Sequence, residues 1–456
     1  MYVADSRAST EASASVAGTA RPATAGRYRS TVAPTVLALG TVSLVTDVSS
    51  EMVTAVLPLY LVAGLGLSPL GFGLLDGVYN GFSAVVRLVG GHLADRGGGH
   101  HKWVAGAGYA LSALCKPLLL IAHTLTPIGL ILAADRTGKG LRTAPRDALI
   151  SLSSTPETRG RAFGVHRAMD TAGALLGPLA AFLILRATVD GYDAVFTVSF
   201  CVAVLGVLVL VLFVPSGARA EPSASAAHPT RSPAPHPTRS PAPHPTPSSA
   251  PHPTRSPTPR PTLRAALGLL ADRDLRRITV CALLLGLATV SDSFVYLLLQ
   301  RRLGVQDRWF ALLPLGTAAA FLLLAVPLGR LADRWGRWRV FLTGHAALLL
   351  AYALLLTSWH GTALPYLVLA LHGTFYAATD GVLMAAASDS VPAPLRSSGL
   401  ALVQTGQAAA RFACSLGFGA AWTLWGDRTA LTVSAVALAV CAAYALTLRP
   451  VREATA

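Results

Sequence analysis

Long apolar runs recur along the chain and are separated by short polar stretches. They predict twelve membrane-crossing helices, because one crossing of a bilayer needs about 20 mostly apolar residues. The predicted spans are 33–62, 70–93, 103–123, 126–149, 164–186 and 194–214, then 277–300, 309–331, 339–358, 363–386, 398–421 and 429–448. The pattern therefore indicates an all-α polytopic membrane protein.

The apolar pattern divides the chain into five regions. A tail rich in Ala, Ser and Thr at 1–30 precedes a first six-helix bundle at 31–214, and it lacks the apolar core of a signal peptide. A Pro-rich linker at 215–262 separates this bundle from a second one at 263–448, and 449–456 form a short tail. We expect a disordered N-terminal tail and a first span that serves as the insertion signal.

The linker contains an eight-residue repeat that begins at each of His228, His236, His244 and His252, the first copy reading HPTRSPAP. Its dense prolines exclude helix and strand pairing, which favours an extended, solvated tether. Two alternatives stay open: a metal-binding tract of spaced histidines, and a docking site for a partner that recognises PxxP segments. The following residues, 263–276, predict an amphipathic helix at the inner membrane surface.

The two bundles repeat each other in sequence. GHLADR at 91–96 follows the second predicted span, and GRLADR at 329–334 follows the eighth. Arg159 and Arg396 lie in loops that are separated by nearly the same offset. The two bundles are therefore expected to be pseudo-symmetric halves, an arrangement in which substrate sites lie between the repeats.

Composition and charge support a membrane protein and exclude other classes. Apolar residues make up 53% of the chain and charged residues 13%, against roughly a quarter charged in soluble domains. The formal charge of +15 is concentrated in short connections and at the ends, the positive-inside pattern of membrane proteins. We therefore expect a cell membrane protein with both termini in the cytoplasm, and no nucleic-acid binding.

Enzymatic and metal signatures are missing from the sequence. The five cysteines fall inside predicted spans without CxxC spacing, so neither a disulfide framework nor a zinc site is predicted. No nucleophile elbow, HExxH motif or phosphate-binding loop occurs. The sequence thus predicts no enzyme, no cofactor and no bound metal, and any transport must draw on an ion or substrate gradient.

Many charged side chains fall within the predicted spans, where each costs about 2.5–3.5 kcal/mol to insert on the lowest scales. In the fourth span, Asp135, Lys139 and Arg142 lie on one helical face, as residues lining a cavity or an ion-pair network would. The substrate-cavity candidates share such stripes: Asp76, Asn80, Arg87, Asp135, Arg136, Lys139, Asp170, Tyr296, His372, Tyr376, Asp380, Gln407 and Arg411.

The role of the intramembrane arginines has two interpretations. Arg136 and Arg411 could each hold an anionic substrate group through paired hydrogen bonds. Alternatively, Arg136 forms a structural salt bridge to Asp47 or Asp170. The sequence leaves both interpretations open.

Three carboxyl groups are candidates for proton coupling. Asp47 and Glu51 lie one turn apart in the first span, with no cation in their own helix. Their mutual repulsion would let the pair lose and regain a proton near neutral pH. Asp292 is a lone acid in the seventh span, so we expect it to behave in a comparable way.

The connections after spans two and eight resemble the signature loop of the major facilitator superfamily, G-x-x-x-D-R-x-G-x-x-[KR]. The matching residues are Gly91, Asp95, Arg96 and Lys102 in the first half, and Gly329, Asp333, Arg334, Gly336 and Arg337 in the second. His100 and His101 stand where the family usually has Arg or Lys. The resemblance implies twelve helices in two six-helix bundles, and loops that latch the cytoplasmic side.

A second element, Gly173, Gly177 and Pro178, resembles the G-x-x-x-G-P element commonest in drug–proton antiporters, and close helix packing is the alternative reason for its glycines. The resemblance implies a monomeric secondary transporter of a small molecule, proton-coupled and working by alternating access. The antiporter-like element leans towards efflux, and the direction of transport stays open. The alternative function is a transport-fold receptor or scaffold that signals through the Pro-rich linker.

Overall fold

The structure is a computed structural model that describes residues 32–96, 101–155, 158–189, 191–215, 268, 271–359, 361–389, 391 and 396–447. All regular elements within these ranges are helical. The first half contains α1 (Pro34–Leu59), continued by a π-helical turn (Tyr60–Gly64), then α2 (Pro69–Arg96), α3 (His101–Ile121), α4 (Leu125–Leu152), α5 (Arg159–Ala187) and α6 (Gly191–Phe213).

The second half begins after the linker, which lies outside the described residues. It contains α7 (Arg273–Ala288), α8 (Asp292–Leu303), α9 (Asp307–Phe310), α10 (Leu313–Trp335), α11 (Arg337–Leu356), α12 (Leu364–Asp389), α13 (Arg396–Trp425) and α14 (Asp427–Thr447). Pro34 and Pro69 occupy first helical positions, where a missing N–H costs nothing. Gly304, Gly336 and Gly426 follow helix ends with positive φ angles of 59°, 96° and 82°, which only glycine adopts without strain.

Each predicted span overlaps a described helix, or two consecutive helices in the case of 277–300 and 309–331. Among the described residues, nine helices are long and apolar enough to cross a membrane. The other three spans correspond to α2, α4 and α13, which are 28, 28 and 30 residues long. Their charged and polar stripes lower their hydropathy, and α2 packs against both α4 and α13.

The predicted seventh span, 277–300, coincides with a candidate membrane span at Leu275–Leu303, but this span is built from two helices. Residues 289–291 separate α7 from α8. The N–H of Val290 donates to the Tyr352 hydroxyl at 2.8 Å, which satisfies a backbone group that the break would otherwise leave unpaired in the membrane. Of the predicted amphipathic helix at 263–276, residues from Arg273 onward belong to α7, and 263–267 and 269–270 lie outside the described residues.

Each half is a bundle, and the halves meet along two lines of contact. In the first half α1 packs against α5 and α6, and α3 packs against α4 and α6; in the second half α12 packs against α10 and α11. Contacts between the halves join α2 to α13, and α5 to α9 and α10.

The halves are in close contact at the face that carries the α1–α2, α5–α6, α8–α9 and α13–α14 connections, which we call the closed face. There the N–H of Leu70 donates to the Thr423 hydroxyl at 3.0 Å. The rings of Phe182 and Trp309 lie 5.0 Å apart between centroids. A Cβ placed on Gly419 would lie 2.5 Å from the carbonyl oxygen of Pro69, so only glycine permits this approach of α13 to α2.

Within the first half, α3 and α4 approach each other through a pair of glycines. A Cβ added to Gly108 would lie 2.6 Å from the Gly138 carbonyl oxygen, and the reverse holds for Gly138. By contrast, a Cβ added to Gly164 in α5 would meet no heavy atom within 4 Å.

We predict that Gly108→Ala lowers the free energy of unfolding by about 1–3 kcal/mol, because the added methyl overpacks a backbone contact. The matched control, Gly164→Ala, should be neutral or stabilising by up to about 1 kcal/mol, because alanine has the higher helix propensity. Thermal unfolding of the two purified variants measures the difference. Equal melting points would contradict the close α3–α4 contact.

Candidate functional site

A buried ion pair joins α1 to α4. The Arg142 guanidinium lies 3.1 Å from the Asp47 carboxylate, and the two side chains are 3% and 13% exposed. The guanidinium carbon also lies 4.5 Å from the centroid of the Tyr109 ring on α3. Removing either partner of such a pair would leave an uncompensated buried charge.

A second, more exposed ion pair lies one turn away on both helices. The Lys139 ammonium is 3.7 Å from the Glu51 carboxylate, with side chains 35% and 27% exposed. Cations from α4 therefore face both acids of α1, so the two carboxylates are not left to repel each other. The role of Asp47 and Glu51 in proton coupling stays a prediction.

The same face of α4 reaches α5. The Arg146 guanidinium lies 3.6 Å from Asp170 and 3.1 Å from Asp147, and it donates to the Ser43 hydroxyl at 3.3 Å. Ser43 in turn lies 2.9 Å from the buried His166 ring. This network ties α1, α4 and α5 together.

Arg136 pairs with its sequence neighbour. Its guanidinium lies 2.6 Å from Asp135 and 3.9 Å from the centroid of the Tyr79 ring on α2, while Asp135 also accepts a hydrogen bond from Ser112. The expected structural salt bridge from Arg136 to Asp47 or Asp170 is therefore wrong. Arg142 and Arg146 occupy those acids instead, because their positions on α4 face α1 and α5.

Two adjoining cavities of about 20 Å³ each lie between the helices, and each is large enough for about one water molecule. The polar residues of the first cavity are Ser50, Thr54, Tyr79, Lys116, Asp135 and Arg136. Those of the second are Thr54, Asp76, Tyr79 and Ser293, so this cavity is shared by the two halves.

Asp76 is a buried carboxylate on α2 at the boundary between the halves. It accepts a hydrogen bond from Ser415 on α13 at 2.7 Å. Asn80, one turn along α2, donates its amide to the backbone oxygen of Asp76 at 3.0 Å. This contact satisfies Asn80 locally, within its own helix.

Asp292, at the start of α8, is the centre of a polar cluster in the second half. It accepts a hydrogen bond from the Tyr376 hydroxyl, and its carboxylate lies 3.5 Å from Nε2 of His372. The Asp292 side chain is 40% exposed, whereas that of His372 is fully buried. The Tyr296 hydroxyl donates to Thr317 at 3.0 Å, and the Tyr296 ring meets that of His372 edge-on, with 6.1 Å between the ring centroids.

The remaining cavity candidates lie on α12, α13 and α2. Asp380 is half-buried on α12, and Gln407 is half-buried on α13. The structure describes the backbone of Arg87 in α2, but its side chain lies outside the described residues.

The signature loop of the second half forms a one-residue turn between α10 and α11. Gly336 makes this turn with a φ of 96°, and Asp333 lies 4.0 Å from Arg337. Gly329 and Arg334 belong to the end of α10. The latch function of this loop stays a prediction.

In the first half, Gly91, Asp95 and Arg96 are helical, but their side chains lie outside the described residues. Lys102 donates to the Val211 carbonyl oxygen on α6 at 2.9 Å, so this cation holds a neighbouring helix end.

The candidate set omitted several polar cavity residues: Ser50, Thr54, Tyr79, Lys116 and Ser293. Lys116 was visible in the sequence as an intramembrane cation, and Ser112, one turn earlier on α3, was the available sign of a polar face. Tyr79 lies three residues after Asp76, and the helical spacing of the two was the available signal.

Sequence comparison gives a family match over most of the chain. The profile of the Major Facilitator Superfamily matches residues 39–413 and 310–456. An uncharacterized MFS-type transporter of Methanocaldococcus jannaschii is 35% identical over 173 residues, 38% of this chain and 42% of that protein. An uncharacterized protein of Mycobacterium tuberculosis is 37% identical over 157 residues, 34% of this chain and 38% of that protein. The matches thus span about two fifths of the length of these curated relatives.

Solved transporter structures share the fold. A crystal structure of the nucleoside transporter NupG has a TM-score of 0.70 at 12% identity, covering 91% of this chain and 98% of that chain. A bacterial homolog of the human lysosomal transporter Spinster, in an inward-facing and unoccupied conformation, has a TM-score of 0.67 at 15% identity, covering 91% and 96%. Similarity at these identities shows the fold alone.

We predict that Asp47→Asn and Arg142→Met each lower the free energy of unfolding by about 3–5 kcal/mol, because each leaves a buried charge without its partner. The double variant should cost less than the sum of the two. The exposed pair is the matched control, and Glu51→Gln or Lys139→Met should each cost about 1 kcal/mol or less. Thermal unfolding completes both double-mutant cycles, and additive costs at Asp47 and Arg142 would contradict the ion pair.

Proposed function

Because the chain belongs to the Major Facilitator Superfamily, we propose that it is a proton-coupled secondary transporter that moves a small molecule by alternating access. The family and the shared fold make it a multi-pass membrane protein of the transporter type. The mechanism, the coupling ion and the direction are parts of the proposal.

The contact between the halves at the closed face is the observation that carries the proposal of alternating access. The two halves contain their own packed helices and meet along α2–α13 and at the contacts of α5 with α9 and α10. Bundles joined in this way can rock against each other about a central site. Asp76 lies at this boundary, so a substrate there would touch both halves.

Proton coupling is supported best at Asp292. Its carboxylate is partly exposed, and it contacts a tyrosine hydroxyl and a buried histidine. A carboxylate reached by water and held next to His372 and Tyr376 can exchange protons with solvent and with these neighbours. Asp47 is less suited to this role, because its protonation would break the buried ion pair with Arg142.

Direction and placement rest on sequence features. The resemblance of Gly173, Gly177 and Pro178 to the antiporter element supports efflux, although the two glycines also pack α5 against the α1 backbone at Leu44 and Val48. The positive-inside pattern supports a cell membrane location with both termini cytoplasmic.

The substrates named for NupG and other neighbours belong to those proteins. We propose a monomer as the working unit.

We predict that Asp292→Asn abolishes proton movement linked to substrate, because the amide cannot be protonated. The substrate is first selected as a solute that raises the melting point of the purified protein in a panel of antibiotics, organic acids, amino acids and sugars. Proteoliposomes with an internal pH dye then report proton movement when this solute is added. Asp193→Asn, an exposed acid on α6, is the control and should behave as the unaltered protein. Proton-linked flux that persists in Asp292→Asn would remove this residue from the mechanism.

We predict that Gly419→Ala weakens closure at the closed face, because its Cβ meets the Pro69 carbonyl oxygen. The assay cross-links Leu70→Cys to Thr423→Cys in a protein whose native cysteines have been replaced. The cross-linked fraction should fall with Gly419→Ala and stay unchanged with Gly417→Ala, whose Cβ meets nothing within 4 Å. Equal fractions in the two variants would contradict a closure that depends on this contact.

A further inference from the structure

Lys116 is a buried ammonium without an ion-pair partner among the described residues. Its residue is 4% exposed, and its Nζ donates to the backbone oxygen of Ser112 at 3.0 Å. No described carboxylate oxygen lies within 4.0 Å of this nitrogen. The neighbouring Asp135 is paired with Arg136 and also acts on Lys116 across a longer distance, so these three side chains carry two positive charges against one negative charge.

Asp76, which lines the adjoining cavity, is a buried carboxylate without an ion-pair partner among the described residues. It is 6% exposed, and its carboxylate accepts a hydrogen bond from Ser415. Within the described part of the chain no cation lies within 4.0 Å of it. A buried charge without an opposite charge is costly, and in membrane proteins such charges mark substrate or ion pathways.

The two unpaired charges line the two adjoining cavities. Lys116 lines the first and Asp76 lines the second, and both cavities share Thr54, Leu57, Tyr79 and Leu132 as lining residues. A hydrogen bond of 2.7 Å between the hydroxyls of Tyr79 and Thr54 belongs to this shared wall. Leu57 and Leu132 complete this wall between the two cavities.

We propose that the joined cavities bind a zwitterion of the amino-acid class. The substrate carboxylate lies against Lys116 and the outer edge of Arg136, and the substrate ammonium lies against Asp76. The apolar walls, which include Leu57, Leu75 and Leu132, take the apolar body of the ligand. Each cavity holds about one water molecule in the present conformation, so binding requires the Tyr79–Thr54 wall to open. This inference rests on the proposed transport function and names its substrate class.

The arrangement favours a zwitterion over a simple anion or a simple cation. A carboxylate alone would neutralise the Lys116 region but leave Asp76 unpaired, and an amine alone would do the reverse. A ligand with both charges compensates both residues. Its two charges also bridge α3 of the first half and the α2–α13 boundary, where the halves separate.

The test uses a matched set of probes with the purified full-length protein in detergent. L-leucine carries both charges, 4-methylpentanoate carries only the carboxylate, and 3-methylbutylamine carries only the ammonium. Glycine and L-alanine extend the set to smaller side chains. Thermal unfolding and calorimetric titration, at one pH and one ionic strength, report binding without any need for transport.

We expect at least one of the amino acids to raise the melting point, and L-leucine to bind more tightly than either of its singly charged analogues. Lys116→Met should weaken amino-acid binding about tenfold or more, the loss expected for one charge-assisted hydrogen bond, and leave the affinity for 3-methylbutylamine unchanged. Asp76→Asn should weaken amino-acid binding similarly and leave the affinity for 4-methylpentanoate unchanged. Lys116→Arg, which keeps the charge, should retain most of the affinity, and ligand-free melting points confirm that each variant is folded.

Three results would overturn the zwitterion site: no binding of any of the amino acids, equal binding of L-leucine and one singly charged analogue, or affinities that neither variant changes. Flux into proteoliposomes is measured separately. Amino-acid binding without flux would overturn the transport proposal and leave the site intact. Flux of another solute without amino-acid binding would overturn the site and leave the transport proposal intact.

Discussion

The first half of this protein depends on one constraint: a charged side chain at membrane depth must meet an opposite charge or water. The helix α4 carries its charges on one face, and that face turns towards α1 and α5. Arg142 meets Asp47 and Arg146 meets Asp170, at 3.1 Å and 3.6 Å. These ion pairs fix the rotation of α4, because any other rotation would expose several charges to lipid.

The same constraint separates structural charges from functional ones. Most charges on α4 are paired inside the first half and need no ligand. Lys116 and Asp76 are buried without such partners, and they lie where adjoining cavities reach the boundary between the halves. The proposed binding site thus lies where two buried charges have no ion-pair partner among the described residues. It also lies where movement of the halves against each other would change the shape of the site.

Local sequence predicted the helices but not their partners. In the described part of the chain, nine helices are long and apolar enough to cross a membrane, and even the charged helix α4 kept one lipid-compatible face. The break at 289–291 was not visible, because its three residues include neither proline nor glycine. The hydroxyl that accepts the N–H of Val290 belongs to Tyr352, 62 residues away.

Helical periodicity placed Arg136 and Arg142 on nearby parts of one helix surface, but it could not say which acid each would reach. That choice depends on the rotation and depth of α1 and α5 against α4. For the same reason the hydrogen bond between Asp76 and Ser415, which are 339 positions apart, could not be predicted. Lys116 is a candidate binding residue because it is buried, and its burial depends on how the helices pack.

The most direct test of alternating access measures distances between the halves at both faces. Spin labels at Val189 and Trp425 report the closed face, and labels at Leu152 and Trp335 report the opposite face; all four side chains are exposed. Pulsed dipolar spectroscopy would compare the protein at two pH values, with and without a stabilising ligand. Alternating access predicts reciprocal changes: the distance at the closed face increases while the distance at the opposite face decreases. Distances that stay fixed, or that change in the same direction at both faces, would contradict it.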